Sequence, residues 1–571
     1  MKALSLTTWV LATGFLVRSA SAAQIEFLEA KPLSQVVRVE AAPVATTGKL
    51  RVPIITWGGD VATIHAQQAG LFSAQGLDAE LFLENTFPKQ VEACLTGKTP
   101  YLRGTLGMIN AAAEAFKQRG IDLVVIYQLT WSTGGDAMVV RAPIKSPLDL
   151  KNKALALQLY GPHMDYVANI LQSAEVPLGS VRFKWLRELT LPQEDTKGVI
   201  VDPVNAFISD PAIDAVMCIS PDAMNLTSGG QTGTGASGSV KGAHILLSTK
   251  TASRVIADVY AVRSDYFAKN RPKVQQFVRA LIAAQDQLTE QLGRKERSPE
   301  FQKLLTQSAD LLLGTPKATA DVEGLLADCE FVGFAGNQQF FTGQGTTRTL
   351  AALDDEIQTA FAQMGLVKTR VALSAANWDY ATDFAGVGGA GSAVAPVPRF
   401  DAEKVAAKVE KEIAVEPSAW AEAGTLFQIE INFEPNQDEF PQTRYADDFK
   451  KALSVAQTYG GSLIVVEGHS DPLGILKARQ NRESGAVVSQ MEQQAKNLSL
   501  QRARAVRQSF LDYSQSKGVK VDESQFVAVG LGIATPKFNP PRTKEEWAAN
   551  RRVLFRIKQV EAELSEFIPL Q

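Results

Sequence analysis

Histidine and cysteine are scarce in this 571-residue chain, with four of the first and three of the second. Cys94, Cys218 and Cys329 are far apart and odd in number, which supports neither a disulfide framework nor a CxxC metal site. Buried thiols, or one bridge with a spare, both remain open at this point. No HExxH, GxSxG or Walker A pattern occurs, so the usual metallopeptidase, serine-hydrolase and nucleotide-hydrolysing arrangements are missing. Neither catalysis nor a metal or cofactor is expected. Outside the first two dozen residues no run of 18 apolar residues appears, and no series of ten-residue amphipathic strands points to an outer-membrane barrel. Positive charge is not in excess either. The formal net charge of -3 falls to about -5 once Lys2 and Arg18 are removed with the leader described next. Nucleic acid is therefore not an expected partner, because phosphate binding needs a concentrated basic surface.

What is present begins with Met1-Lys2-Ala3-Leu4, a short apolar stretch to Val17, and the small-residue run Ser19-Ala20-Ser21-Ala22-Ala23. This reads as a signal peptide over 1–22. From Leu50 to about Asp383 short apolar runs alternate with amphipathic stretches, the rhythm of βα units. Ile54–Trp57, Leu123–Tyr127, Ala137–Val140, Ala154–Leu157 and Ile213–Met217 are expected strands of an α/β architecture with a largely parallel sheet. Ser146-Pro147-Leu148-Asp149 reads as a helix start. Gly233-Thr234-Gly235-Ala236-Ser237-Gly238 matches GxGxxG literally but lacks the flanking strand and helix of a dinucleotide site, and reads as a mobile loop or insertion. Gly386 to Pro398 is rich in glycine and ends in two prolines, a linker texture. The expected division is 43–383 for the α/β part, 384–422 for linker and a charged helix, and 423–571 for a second domain. In that domain Phe427, Ile429, Ile431 and Phe433 alternate with polar residues as a half-buried strand does. The order that follows is βαβαββ, a small α+β domain.

Its chemistry lies in three spaced segments: Glu467-Gly468-His469-Ser470-Asp471, Leu498-Ser499-Leu500-Gln501-Arg502-Ala503, and Asn550-Arg551-Arg552-Val553. Asp471 follows an apolar strand. Ser499 as an N-cap puts Arg502 in the first turn of a helix, among free backbone N–H groups. A zwitterion fits both: Asp471 takes its ammonium, and Arg502 with the helix N-terminus takes its carboxylate. These segments, in this order, resemble the OmpA-like peptidoglycan-binding domain. The resemblance implies non-covalent binding of a peptidoglycan stem peptide through meso-diaminopimelate, with Asp471 and Arg502 as the main contacts, Asn436 as a further polar position, and Arg551 and Arg552 as the closing basic pair. Asp471 and Arg502 are about twice as far apart as is usual in that family, so 475–497 holds an insertion.

The 43–383 part resembles the periplasmic solute-binding proteins that serve ABC importers of sulfonates, nitrate and thiamine-precursor pyrimidines. The resemblance rests on Ala69-Gly70-Leu71-Phe72 with Gln75-Gly76-Leu77, on Ile144 to Lys151, on Ile213-Asp214-Ala215-Val216 and on Ala257 to Arg263. It implies a two-lobed fold with a small, anionic or heterocyclic solute in the cleft and an ABC permease as a candidate partner. By the logic of strand ends and helix starts the cleft residues are Trp57, Asp60, Thr105, Trp131, Gly134, Gly161 and His163, with N–H groups near Gly134 and Gly161 available to an anion. Together the two resemblances imply a periplasmic, peptidoglycan-associated protein of a Gram-negative-type envelope, at the outer membrane or free of it. The alternative is a wall-anchored sensor or structural envelope protein whose cleft docks a partner or is vestigial.

Overall fold

The computed structural model describes residues 24–45, 48–190, 196–387, 402–415, 425–434 and 445–558. The expected leader, Asn436 and most of the expected linker lie outside the described residues. Strands β1 (Leu50–Ile54), β2 (Ala79–Leu83), β3 (Tyr101–Thr105) and β4 (Leu123–Ser132) begin a first lobe. The chain then crosses to β5 (Asp136–Val140), β6 (Ala154–Gln158), β7 (Arg182–Leu186), β8 (Ala215–Ile219) and β9 (His244–Ser248), which pair in the order β7-β6-β8-β5-β9 as a second lobe. It crosses back to β10 (Ala257–Arg263), β11 (Cys329–Phe331) and β12 (Ser374–Ala375), completing a sheet ordered β11-β4-β10-β3 with β12 along β4.

The sheets are mixed rather than largely parallel. The β1–β2, β6–β7, β6–β8 and β12–β4 ladders are parallel. Those of β10 with β3 and β4, of β11 with β4, and of β5 with β8 and β9 are antiparallel. The cause is the double crossing, since β5 and β10 each enter a lobe from the other one and run against their neighbours. Local readings shift as well. The first strand stops at Ile54, because the Ile55 and Thr56 amides donate to the side chains of Asp60 and Asn85 instead of a neighbouring strand. Ser146 caps only a 3-10 turn, Pro147–Leu150. The Gly233–Gly238 stretch is a hydrogen-bonded loop, closed by Gly233 N to Ala243 O and Gly242 N to Gly233 O. All three cysteines are free thiols.

In the C-terminal part β13 (Thr425–Asn432), β14 (Leu463–Gly468), β15 (Phe526–Gly530) and β16 (Arg552–Lys558) pair in the order β13-β16-β14-β15, with β14 and β15 parallel. The helix Ala446–Thr458 lies between β13 and β14. Two further helices, Leu473–Gln480 and Lys544–Asn550, are added to the expected βαβαββ order. The main correction concerns Ser499. It is not an N-cap: one helix runs from Gly485 to Ser516, capped by Ser484, whose side chain accepts from the Val487 amide. The 475–497 insertion is therefore a short helix plus an N-terminal extension of the long one. This leaves Arg502 in mid-helix, where backbone N–H groups are spent on the helix itself.

Gly468 and Gly530 are partners in the β14–β15 ladder, and the long helix crosses directly over them. A Cβ at Gly468 would lie 1.8 Å from the Ser499 carbonyl oxygen, and one at Gly530 2.7 Å from the Lys496 carbonyl oxygen. Ser499 fastens that crossing, donating to Lys496 O at 2.7 Å and accepting from the Gly532 amide at 2.9 Å. Among the described residues no helix is long and apolar enough to cross a membrane.

Candidate functional sites

The C-terminal constellation gathers at the end of β13. There the chain leaves the sheet at Phe433 and Glu434, and two guanidiniums hold its backbone: Arg551 Nε donates to Phe433 O at 3.3 Å and Arg502 Nη2 to Glu434 O at 3.2 Å. Arg502 also lies over the Phe433 ring, 5.3 Å from its centroid, and is fully buried. Asp471 lies 3.6 Å from Arg551 through Oδ2, while its Oδ1 accepts from the Leu473 amide. The side chains of Asp471 and Arg551 keep 19% and 14% of their exposure, enough for an entering ligand to reach them. Arg552 points to the other face of β16, as alternation requires, and donates to Thr535 O at 3.1 Å. Below it Glu467 is held by Arg556 at 2.9 Å and lies 3.8 Å from His469. Burial would raise the Glu467 carboxyl, yet His469 and Arg556 together bring it down to about 2. Phe433, Glu434 and the two glycines were missed by sequence reasoning; a glycine at the end of an apolar strand was the available signal.

The interlobe residues form two hydrogen-bonded groups. In the first, Asp60 and Arg103 make a two-pronged pair at 2.8 and 3.2 Å, Arg103 reaches Asp258 at 2.9 Å, and Thr130 bonds both Asp258 (3.1 Å) and the Trp57 indole N–H (3.1 Å). Burial pushes the Asp60 carboxyl up to about 6 against the opposing pull of Arg103. Burial alone would lower the Arg103 guanidinium, but Asp60 and Asp258 outweigh it and keep it charged. In the second group Asp136 is held by Ser132 at 2.6 Å and by His163 at 2.8 Å, with Thr249 bonding Ser132 at 2.9 Å. Ser132 and Asp136 flank one crossing and Thr249 begins the other, so this group ties the two crossings together.

The expected cleft residues thus separate. Trp57, Asp60 and His163 enter these groups. Thr105 is spent capping the helix Leu106–Lys117, its hydroxyl accepting from the Met108 amide. Gly161 packs against the Gln158 side chain, and the Asp328 carboxylate packs against Gly134, where an anion was expected. Trp131 lines a separate cavity of about 110 Å³ together with Arg254 and Arg348. Arg103, Asp258, Asp136 and Asp165 were missed, although a charge inside an apolar strand signals a paired, buried group.

Asp165, in the first turn of the helix Met164–Ser173, packs against Gly107 of the first lobe. Both of its carboxylate oxygens are buried, and no side chain among the described residues bonds them. Burial pushes this carboxyl up to about 8, Glu356 and Asp258 adding to the effect and the backbone N–H groups of its own helix start opposing it. Arg103, the cation of the first group, is already claimed by the two carboxylates Asp60 and Asp258.

No protein-family model matches the chain, and no curated protein matches it. Among solved structures, the chain is similar to the alkanesulfonate-binding protein SsuA from Xanthomonas axonopodis pv. citri bound to MOPS, at 16% identity over 58% of this chain and 98% of that one, with a TM-score of 0.37. It is similar to the periplasmic aliphatic sulphonate binding protein SsuA from Escherichia coli at 15% identity over 57% and 90%, TM-score 0.39. For the periplasmic nitrate-binding protein NrtA from Synechocystis PCC 6803 the values are 11% over 57% and 84%, TM-score 0.36.

Proposed function

We propose that this is an exported envelope protein whose C-terminal domain binds peptidoglycan non-covalently and whose N-terminal lobes take a small solute. The observation that carries the first half is the convergence of Asp471, Arg551 and Arg502 on the Phe433–Glu434 corner, one partly exposed carboxylate beside a partly exposed and a buried guanidinium. Such a set matches the amino-acid end of diaminopimelate, the ammonium on Asp471 and the carboxylate on the guanidiniums. Without a helix N-terminus at Arg502, the guanidiniums alone hold the carboxylate. The mature full-length protein should sediment with purified diaminopimelate-type peptidoglycan and be released by free meso-diaminopimelate. Asp471→Asn and Arg551→Gln should each abolish sedimentation; equal pull-down by either variant sinks the assignment.

For the lobes, the acidic lining changes the expected solute. Asp60, Asp136, Asp165, Asp258 and Asp328 are all hydrogen-bond acceptors and Arg103 is already paired, so the reading that fits is a solute with a positive charge or several hydrogen-bond donors, delivered to an importer permease or sensed in place. A thermal-shift screen of the full-length protein against amines, pyrimidines, sulfonates, nitrate and phosphate tests it. Stabilisation by an anion alone overturns the charge assignment. No stabilisation by any compound favours the second reading, a cleft that docks a partner or is vestigial, which the self-satisfied Asp60–Arg103–Asp258 group also supports.

A further inference from the structure

The C-terminal domain touches the lobes where they hinge. Tyr459 ends the helix Ala446–Thr458, is fully buried, and donates its hydroxyl to Asn169 Oδ1 of the second lobe at 3.1 Å. Asn169 Nδ2 in turn donates to Glu356 Oε1, on the helix Leu350–Met364 that packs against both lobes. Arg348 Nη1 donates to Glu356 Oε2 at 2.8 Å and Arg348 Nε to Arg254 O at 3.0 Å. The Arg254 amide, in the second crossing, donates to Thr458 O at 3.2 Å. Because Thr458 precedes Tyr459, these bonds close a ring through the C-terminal domain, the second lobe, the bridging helix and the crossing. Gly461 N donates to Thr251 O of the same crossing at 3.1 Å, Gln457 accepts from Thr347, and Lys451 pairs with Glu175. Leu453, Ala456 and Tyr459 belong to the same buried apolar cluster as Ala168 and Leu171 of the second lobe.

A two-lobed protein opens by changing the backbone of its crossings, and a segment bonded on every side resists that change. We propose that the C-terminal domain is an intramolecular clamp on the interlobe hinge: docked, it holds the lobes shut, and its release is the step that frees them to open. The diaminopimelate-type site stays accessible in the docked state. The docking turn precedes β14 and Asp471 follows it, which separates the two by about 20 Å at roughly 3.3 Å per strand residue. The inference goes beyond the proposed function and needs neither ligand.

The test is amide hydrogen exchange on the full-length chain, read at the amides that tie the crossings: Ser132, which donates to Ile256 O, and Thr249, which donates to Asp136 O. Gly461→Val wedges the interface, since a Cβ there would lie 1.7 Å from the Lys250 carbonyl oxygen. Exchange at Ser132 and Thr249 should accelerate about tenfold or more while β6, β8, β14 and β16 keep their protection, the pattern of a local opening rather than global unfolding. Unchanged exchange at those two amides, in a variant whose 458–462 turn has become labile, overturns the clamp. Should Gly461→Val lose protection throughout, Tyr459→Phe decides, because it removes one hydroxyl from the ring. Faster exchange at the crossings supports the proposal, and no change there defeats it. Peptidoglycan sedimentation measured in parallel keeps this outcome separate from the fate of the wall-binding assignment.

Discussion

The two sites treat charge in opposite ways. At the end of β13 a carboxylate and a guanidinium lie 3.6 Å apart, partly exposed, with capacity left for a ligand. Between the lobes Arg103 and Asp60 are wholly buried and saturate each other at 2.8 Å, with Asp258 added at 2.9 Å. A partly exposed pair contributes little to stability and is free to exchange partners. A buried one is costly to form and more costly to break from one side, so it belongs to the closed architecture. The first arrangement is left able to change partners; the second is spent on holding shape.

The widest gap between the two should come from Arg103→Met. Removing the cation leaves Asp60 and Asp258 buried together, and urea denaturation should show a loss of about 3–5 kcal/mol. Asp165→Asn should act in the other direction and with a pH signature. The folded carboxyl is raised from 3.8 to about 8, so between those values the folded state holds a proton that the unfolded chain has released. Stability therefore falls as pH rises from about 4 to about 8. The Asn variant lacks that slope and should be more stable than the parent at pH 8, by an amount on the order of a few kcal/mol, and similar to it near pH 4. Gly468→Ala forces the Gly485–Ser516 helix off the sheet and should cost about 1–3 kcal/mol in the same assay. Asp471→Asn should be the mildest, within about 1 kcal/mol of the parent, while abolishing peptidoglycan sedimentation. If Asp471→Asn destabilised as much as Arg103→Met, the contrast between the sites would fail.

Legibility followed the range of the interactions. The apolar runs Leu123–Tyr127 and Leu463–Val466 announce themselves as strands, because burial on both faces demands a continuous apolar run, and the structure extends them to Ser132 and Gly468. The three C-terminal segments were readable since each carries its charge next to a strand or helix, and the structure brings Asp471, Arg502 and Arg551 to one corner. What failed was local syntax with a tertiary competitor. Ser499 has the residue type of an N-cap, but the insertion before it is helical and runs straight through it. Trp131 lies where cleft residues are sought, yet its side chain lines another cavity with Arg254 5.7 Å from its ring. Asp258 and Arg103 sit on adjacent antiparallel strands that are more than 150 residues apart in the chain, and no local pattern announces such a pair.

By itself the sequence determined an α/β part followed by an α+β part, a chain of slight negative net charge, and the charged residues Asp471, Arg502 and Arg551 of one corner, because periodicity, net charge and residue type are local properties. Only the tertiary structure decided that the sheets are mixed, that the interlobe carboxylates and Arg103 saturate one another, and that Tyr459 of one domain bonds Asn169 of the other. Those outcomes depend on which distant groups are desolvated together, and desolvation is a property of the packed chain rather than of any segment.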